Sequence, residues 1–351
     1  MKLTEEQDKA LNAVNKAITN RDPLFRLAGA AGTGKSTVLA EIIKRHPNAA
    51  VCAFTGKAAD VLRKKGVQEA GTIHSFIYQY DERLDTFKKV DNLPFSAFIV
   101  DEASMISTDI LRDMSTYGIS MICIGDNHQL EPVGDDPKLM EFPDLELKEV
   151  HRQALESPIL KLATIVRQGG RWSNVKAKGL EVTNRKPTMK DILKHKIVLT
   201  GFNKTRISIN TQVRKHFKRT KPIVKNERMI CLQNDRDLQV FNGMLFRVKN
   251  IHLQTDSKTD CSVEFDDGTL RDLTITHFHL NKSKVDWKEL KRFKGRSAIC
   301  DYGYAISTHK SQGSSWDSVM VIEEQCGLWD DRRWLYTAIT RAEEKLTLFR
   351  S

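Results

Sequence analysis

The chain has 351 residues and no long apolar run. Its longest such stretches, of which residues 95–100 are one, are far too short to cross a bilayer. Its first ten residues, MKLTEEQDKA, mix both charge signs and have no apolar h-region of a signal peptide. The expectation is a soluble, cytoplasmic protein with no membrane partner. Cysteine is sparse: Cys52, Cys123, Cys231, Cys261, Cys300 and Cys326 are scattered without a C-x-x-C pair. That spacing excludes a disulfide framework and a zinc knuckle, and leaves reduced thiols that mostly fill the core. Neither an internal repeat nor a low-complexity tract is present.

What is there is an ordinary globular composition, 40% hydrophobic and 29% charged, in a chain long enough for two cores. The net charge of +11 is unevenly spread: residues 1–150 sum to −5 and residues 151–351 to +16. A polyanionic partner held mainly by the C-terminal half would account for this, and so would a well-solvated basic surface.

Thr4-Glu5-Glu6-Gln7 has the form of a capping box, and Leu11, Val14 and Ile18 follow at helical spacing, so a helix is expected from about Thr4 to Thr19. Short apolar strands then alternate with helices. Strands are expected at 24–28, 49–54, 96–100 and 119–124, with helices at 57–64 and 108–117 between them. This rhythm predicts a parallel sheet covered on both faces. Phe76, Tyr78 and Tyr80 alternate along an expected strand, and residues 86–90 could return antiparallel as a hairpin. A second α/β set opens after Val150, with Ser157-Pro158 starting a helix, a strand at 196–200 and a helix at 203–217. Between 222 and 296, short strands with Asn242-Gly243 and Asp267-Gly268 turns predict a small β-barrel insertion. Strand and helix signals return at 318–322, 332–342 and 345–349.

Gly29-Ala30-Ala31-Gly32-Thr33-Gly34-Lys35-Ser36 has the pattern G-x-x-x-x-G-K-[ST] between an expected strand and an expected helix. Glycines allow backbone N–H groups to wrap phosphates, Lys35 reaches the β and γ oxygens, and Ser36 is placed to ligate Mg²⁺. Thr37 closes the candidate nucleotide contacts. Phe98-Ile99-Val100-Asp101-Glu102 adds a carboxylate pair at a strand end: Asp101 for the metal ion and Glu102 to polarise the attacking water. The pairing with Lys35 points to ATP hydrolysis rather than phosphate storage.

Seven further segments stand in one order: 54–59 (FTGKAA), 72–75 (TIHS), 101–104 (DEAS), 125–133 (GDNHQLEPV), 150–153 (VHRQ), 304–313 (YAISTHKSQG) and 336–342 (YTAITRA). In that order they resemble the motifs of superfamily 1 helicases, in the RecD-like branch, from Gln7 to about Leu348. The resemblance implies an α/β fold of two RecA-like P-loop domains. The first would span 1–75 and 96–150 with a β-hairpin pin at 76–95; the second, 151–221 and 297–351 with an SH3-like barrel at 222–296. It also implies that Gln7 reads adenine, that Gln129 senses the γ-phosphate, and that Arg152 and Arg341 approach the nucleotide from the second domain. Nucleic-acid contacts fall on Thr55, Lys57, Thr72, His74, Thr308, His309 and Lys310.

Hydroxyls, amides and lysines suit backbone phosphates without base identity, and histidine rings can stack on unpaired bases. The activity that the resemblance implies is ATP- and Mg²⁺-dependent DNA unwinding, 5′ to 3′, by a monomer acting on single strands and single-strand/duplex junctions. Replication or recombination proteins are candidate partners. An RNA-directed helicase and a silent nucleic-acid-binding scaffold are the alternatives. Phe54 departs from the family in standing where proline is common. The basic run of Lys282, Lys284, Lys288, Lys291, Arg292, Lys294 and Arg296 suits a phosphate-tracking patch and equally a solvated helix face.

Overall fold

The structure, a computed structural model, describes residues 3–81, 86–131, 135–150, 156–235, 238–284, 286, 293, 296–327 and 329–350. The chain divides into two compact units, 1–167 and 168–351. The division falls after the helix Pro158–Arg167, whereas the sequence pattern opens the second half at residue 151. No helix among the described residues is long and apolar enough to cross a membrane.

The first unit begins with the helix Glu5–Asn20. The Thr4 hydroxyl accepts from the Gln7 amide at 3.3 Å, and Gln7 Oε1 accepts from the Thr4 amide at 3.1 Å, which completes the capping box. Its strands are β1 (Leu24–Gly29), β2 (Ala50–Ala53), β3 (Gly71–Thr72), β4 (Tyr78–Asp81), β5 (Thr86–Lys89), β6 (Ala97–Asp101), β7 (Ser120–Gly125) and β8 (Leu145–Leu147). Six of them form one parallel sheet in the order β3-β2-β6-β7-β1-β8. Successive side chains point to opposite faces. Leu27, Ile99, Ile122 and Ile124 therefore pack with Leu11, Val14, Val38 and Ile42 on one side. Ala28, Phe98, Val100 and Cys123 pack with Ile73, Ile110 and Met114 on the other. Burial on both faces explains why these strands read as continuous apolar runs.

The alternation at residues 76–80 predicts a strand, but Phe76 lies in the short helix Ile73–Ile77, and the strand starts only at Tyr78. Thr72 overrides the alternation: its hydroxyl accepts from the Ser75 amide at 3.2 Å and caps a helical turn. β4 and β5 do pair antiparallel, Tyr78 opposite Lys89. Of the polar turn expected at 81–85, Asp81 ends β4 and residues 82–85 lie outside the described residues.

In the second unit the strands are β9 (Val175–Ala177), β10 (Leu180–Thr183), β11 (Ile197–Thr200), β12 (Arg228–Cys231), β13 (Leu245–Gln254), β14 (Lys258–Phe265), β15 (Leu270–Thr276), β16 (Ala298–Tyr302), β17 (Ala305–Ser307), β18 (Trp316–Ile322) and β19 (Ala342–Phe349). A second sheet runs β17-β11-β18-β19-β10-β9, parallel except for the edge pair β9–β10. β12 to β16 close a five-stranded barrel around a core that includes Phe246, Val263, Ile275 and Cys300. Gly243 and Gly268 have φ of +88° and +85°, as the two turns require. The barrel reaches past the expected limit of 296, because β16 closes it by pairing antiparallel to β12 and parallel to β15.

The helix Asn203–His216 fastens barrel to sheet. Asn210 Nδ2 donates to the carbonyls of Tyr302 and Ala305 at 3.0 and 3.2 Å, and its Oδ1 accepts from the Ala305 amide at 2.8 Å. Beside it the buried Glu227 pairs with Arg214, pairs with Arg219 at 3.0 Å, and accepts from the Tyr304 hydroxyl at 2.7 Å. All six cysteines are unpaired and five are buried, as core-filling thiols should be.

Candidate nucleotide and nucleic-acid site

Parallel strands bring their carboxyl ends to one edge, and loops leaving that edge carry most of the motif residues of the first unit. Cα partners step along it: Ala28 with Gly125, Ala53 with Asp101, and Ala53 with Thr72. The segments that follow β1, β2, β6 and β7, together with the end of β3, therefore lie side by side. They hold Gly29–Ser36, Thr55, Asp101–Glu102, Gly125–Gln129 and Thr72.

Gly29 ends β1, and Gly34 sits immediately before the helix Lys35–Arg45. Gly32 and Gly34 have φ of +86° and +84°, a left-handed backbone that β-carbons resist. A Cβ on Gly29 would stand 2.6 Å from Thr33 Oγ1 and 3.1 Å from Lys35 Cγ. The Thr33 hydroxyl donates to the Ala30 carbonyl at 2.9 Å, and Lys35 Nζ donates to the carbonyls of Gly29 and Ala30 at 2.5 and 3.1 Å. The lysine thus folds back over its own loop, held by weak neutral acceptors that an incoming phosphate can replace. Ser36 is exposed on the first turn of that helix, and Thr37 is half-buried.

Asp101 is half-buried at the end of β6, and its Oδ1 accepts from the Glu102 amide at 3.0 Å. Burial and the adjacent Glu102 carboxylate push the Asp101 carboxyl up to about 6, against the pull of Lys35. A cation here would relieve both effects. Among the described residues no three His, Cys, Asp or Glu side chains form a metal cage. One hydroxyl, Ser36, and one carboxylate, Asp101, instead fit Mg²⁺, which takes few protein ligands and completes its shell with phosphates and water.

Three buried oxygens beside this edge have no hydrogen-bond partner: Ser104 Oγ, Asn127 Oδ1 and Gln129 Oε1. Orphaned buried acceptors are costly and mark places where a ligand or water completes the site. Gln129 is also tied to Asp126 by a 3.4 Å bond from Nε2 to Oδ2. Ser104 and Asn127 are not apparent from sequence beyond their membership of the DEAS and GDNHQ segments. Gln7 is buried with its Oε1 engaged in the capping box.

Thr55 and Thr72 cap helices: Thr55 Oγ1 accepts from the Ala58 amide at 3.1 Å. Lys57 lies in the first turn of the helix that Thr55 caps and is half-buried. His74 is exposed, its ring 5.5 Å from that of Tyr78 at the base of the hairpin. That excludes a buried, hydrogen-bonded histidine. The Tyr117 hydroxyl anchors the hairpin, within 3.1 Å of the Ile77 carbonyl and 2.8 Å of that of Val90.

In the second unit Thr308, His309 and Lys310 form the turn after β17. Thr308 is fully buried and its hydroxyl donates to the Thr200 carbonyl at 3.4 Å. Its side chain is thus engaged with the strand end at Thr200. His309 is half-buried, 6.4 Å from the Trp329 ring, which also contacts Phe202 at 5.1 Å. The aromatic group draws on residues from 202 to 329, and no local pattern announces it. Lys310 is exposed; burial along its stem and, after it, the Arg206 charge push its ammonium down to about 8. Arg341 is buried, and its guanidinium donates to the carbonyls of Thr337 and Ser314 at 3.1 and 3.2 Å and to the Thr340 hydroxyl at 3.1 Å. Among the described residues it meets only neutral acceptors. Arg152 lies outside the described residues, as do Lys288, Lys291, Arg292 and Lys294 of the basic run. Lys282 lies 3.8 Å over the Phe278 ring.

A phosphate loop with its carboxylate partners on a RecA-like parallel sheet, followed by a second α/β unit with an inserted barrel, defines a two-unit fold of the P-loop class. Residues 2–183 match the AAA domain family, and residues 302–349 match the UvrD-like helicase C-terminal domain. The chain belongs to the superfamily 1 helicases of the RecD, Pif1 and Dda kind. It is 26% identical to the ATP-dependent RecD2 DNA helicase of Deinococcus radiodurans, over 92% of this chain and 46% of that protein. It is 34% identical to the ATP-dependent DNA helicase dda of Enterobacteria phage T4, over 49% of this chain and 44% of that one. The chain thus spans less than half the length of these two relatives. Among solved structures, Pif1 helicase from Bacteroides in complex with ADP-AlF3 and ssDNA superposes with a TM-score of 0.62 at 19% identity, covering 99% of this chain and 92% of that one. At that identity the likeness is one of fold.

Proposed function

We propose that this chain is an ATP-dependent DNA helicase that translocates 5′ to 3′ on single-stranded DNA and opens duplexes at single-strand/duplex junctions. The observation that carries this is the shared sheet edge. The phosphate loop, Asp101, Glu102 and Gln129 leave the same edge as Thr55, Thr72 and the His74 turn, so a change at the nucleotide is transmitted one strand spacing away, about 5 Å, to the polymer. Relatives named DNA helicases favour DNA over RNA.

In this reading Lys35 leaves the Gly29 and Ala30 carbonyls for the β and γ oxygens of ATP, and Gln7 faces the adenine. Glu102 orients water toward the γ-phosphorus and takes its proton. Ser36 and Asp101 would hold Mg²⁺, which would supply charge neutralisation at the phosphates. Gln129 offers its unpaired Oε1 to the water or to the polymer. Arg341 of the second unit, a buried charge on neutral acceptors, and Arg152, near the end of the first, act together on the developing γ-phosphoryl charge. Closure and release alternate the grip between Thr55, Lys57, Thr72 and His74 in one unit and His309, Lys310 and the backbone at Thr308 in the other. The β4–β5 hairpin serves as the pin that splits the duplex, and the barrel as an SH3-like wall over the strand. We assign the protein to the cytoplasm, as a monomer that works beside replication or recombination proteins.

Lys35→Ala tests the assignment: ATP turnover stimulated by single-stranded DNA is expected to fall at least a hundredfold, with single-strand binding largely kept. Undiminished turnover in the variant refutes it.

A further inference from the structure

At the opposite edge of the second sheet, away from the Thr308–Lys310 turn, a cleft of about 600 Å³ lies between the barrel and the starts of β11 and β18. Five permanent cations line it, Lys194, Lys196, Arg228, Arg247 and Lys345, against three carboxylates, Glu264, Asp266 and Asp317. Each carboxylate already has a cation: Glu264 has Lys249 at 2.5 Å, Asp266 has Arg228 at 3.0 Å and Asp317 has Lys196 at 4.0 Å. Among the described residues Lys194, Arg247 and Lys345 have no ion-pair partner.

Strand register makes the imbalance sharper. Arg228 on β12 stands directly opposite Arg247 on β13, and like charges in opposed positions destabilise a sheet. Arg228 is 2% exposed, and its Nε is buried with no acceptor. Burial and the Arg247 charge together lower its pKa. A buried donor without an acceptor, next to a second arginine across the ladder, is an arrangement that an oxyanion completes.

We propose that this cleft binds a phosphate group, with Arg228 and Arg247 as the fork and Lys194 and Lys345 at the rim. Its position on the sheet edge opposite the motif residues makes it a second anion site, separate from the track proposed above and independent of the motor reading. The phosphate is supplied by a nucleic-acid backbone or by free phosphate. With a backbone, the cleft would hold a part of the substrate other than the strand in the track, such as the duplex arm of a fork.

The test uses the full chain and the variant Lys194→Ala/Arg247→Ala/Lys345→Ala, which changes exposed residues only. Arg228→Met is the second variant. Binding to a forked duplex and to a short single strand is read by fluorescence anisotropy from 50 to 300 mM salt, and binding of inorganic phosphate by calorimetry. Each lost phosphate contact removes about 0.9 from the slope of log K against log salt. If a strand fills the cleft, the triple variant loses about tenfold in affinity for the fork, with a slope shallower by roughly 1 to 2, while the short single strand binds as before. If free phosphate fills it, wild type binds phosphate, both variants lose that binding, and the fork affinity is unchanged. Unchanged fork affinity and slope together with no phosphate binding by wild type overturns the site. Wild-type ATP turnover on the short single strand, read in parallel, judges the motor reading separately.

Discussion

Asp101 works against the stability of the nucleotide-free first unit, and its replacement by Asn measures by how much. Its carboxyl is pushed up to about 6 from an ordinary 3.8 by burial and by Glu102. A raised carboxyl means that the folded chain holds its proton more tightly than the unfolded one. Stability from this group is therefore present in full below about pH 4 and is lost as pH rises through about 6. At about 1.4 kcal/mol per unit the loss is about 3 kcal/mol at most, and solvent at this half-buried edge screens it to about 1–2 kcal/mol. Asn keeps the shape and still accepts from the Glu102 amide. In calorimetry without nucleotide and with metal chelated, Asp101→Asn should raise the first transition by roughly 2–8 °C at pH 7.5 and by only about a third as much at pH 4.5. ATP turnover should disappear in the same variant. A variant no more stable than wild type at pH 7.5, or a gain that does not shrink on acidification, refutes the electrostatic account of the carboxylate pair.

Two further outcomes follow from the geometry. Glu227→Ala strands Arg214 and Arg219 in the joint between barrel and helix, with the Glu227 side chain fully buried and theirs 10% and 13% exposed. Removing one partner of a buried pair costs about 3–5 kcal/mol, so thermal denaturation of the second unit should drop by roughly 6–20 °C, and less for Glu227→Gln. Tyr117→Phe removes the hydroxyl that tethers both ends of the hairpin. It should lower the rate of duplex unwinding several-fold while leaving single-strand-stimulated ATP turnover within about twofold, because the phosphate loop is untouched.

The parts legible in the sequence are those fixed by short-range rules. The Thr4 capping box, the alternation of strand and helix in the first unit, and the glycine-dependent turns at Gly243 and Gly268 each follow from local pattern. What was not legible depends on partners distant along the chain. β16 closes the barrel only because it finds both β12 and β15, so the apparent barrel limit at 296 falls short. Phe76 alternates like a strand residue, but the Thr72 cap wins over a weak period of three residues. Thr308 lies in a motif that suggests an open contact, yet the Thr200 carbonyl claims its hydroxyl. The like-charge pair Arg228 and Arg247 emerges from register alone, and the Phe202, His309 and Trp329 group from a turn and two loop ends that converge.

The measurement that bears most directly on the central claim is unwinding of matched duplexes carrying a 5′ or a 3′ single-stranded tail, with ATP and Mg²⁺, by the wild-type chain. The account predicts strand separation from the 5′ tail alone, abolished by Lys35→Ala. Equal opening from both tails, or opening that persists without ATP, contradicts it.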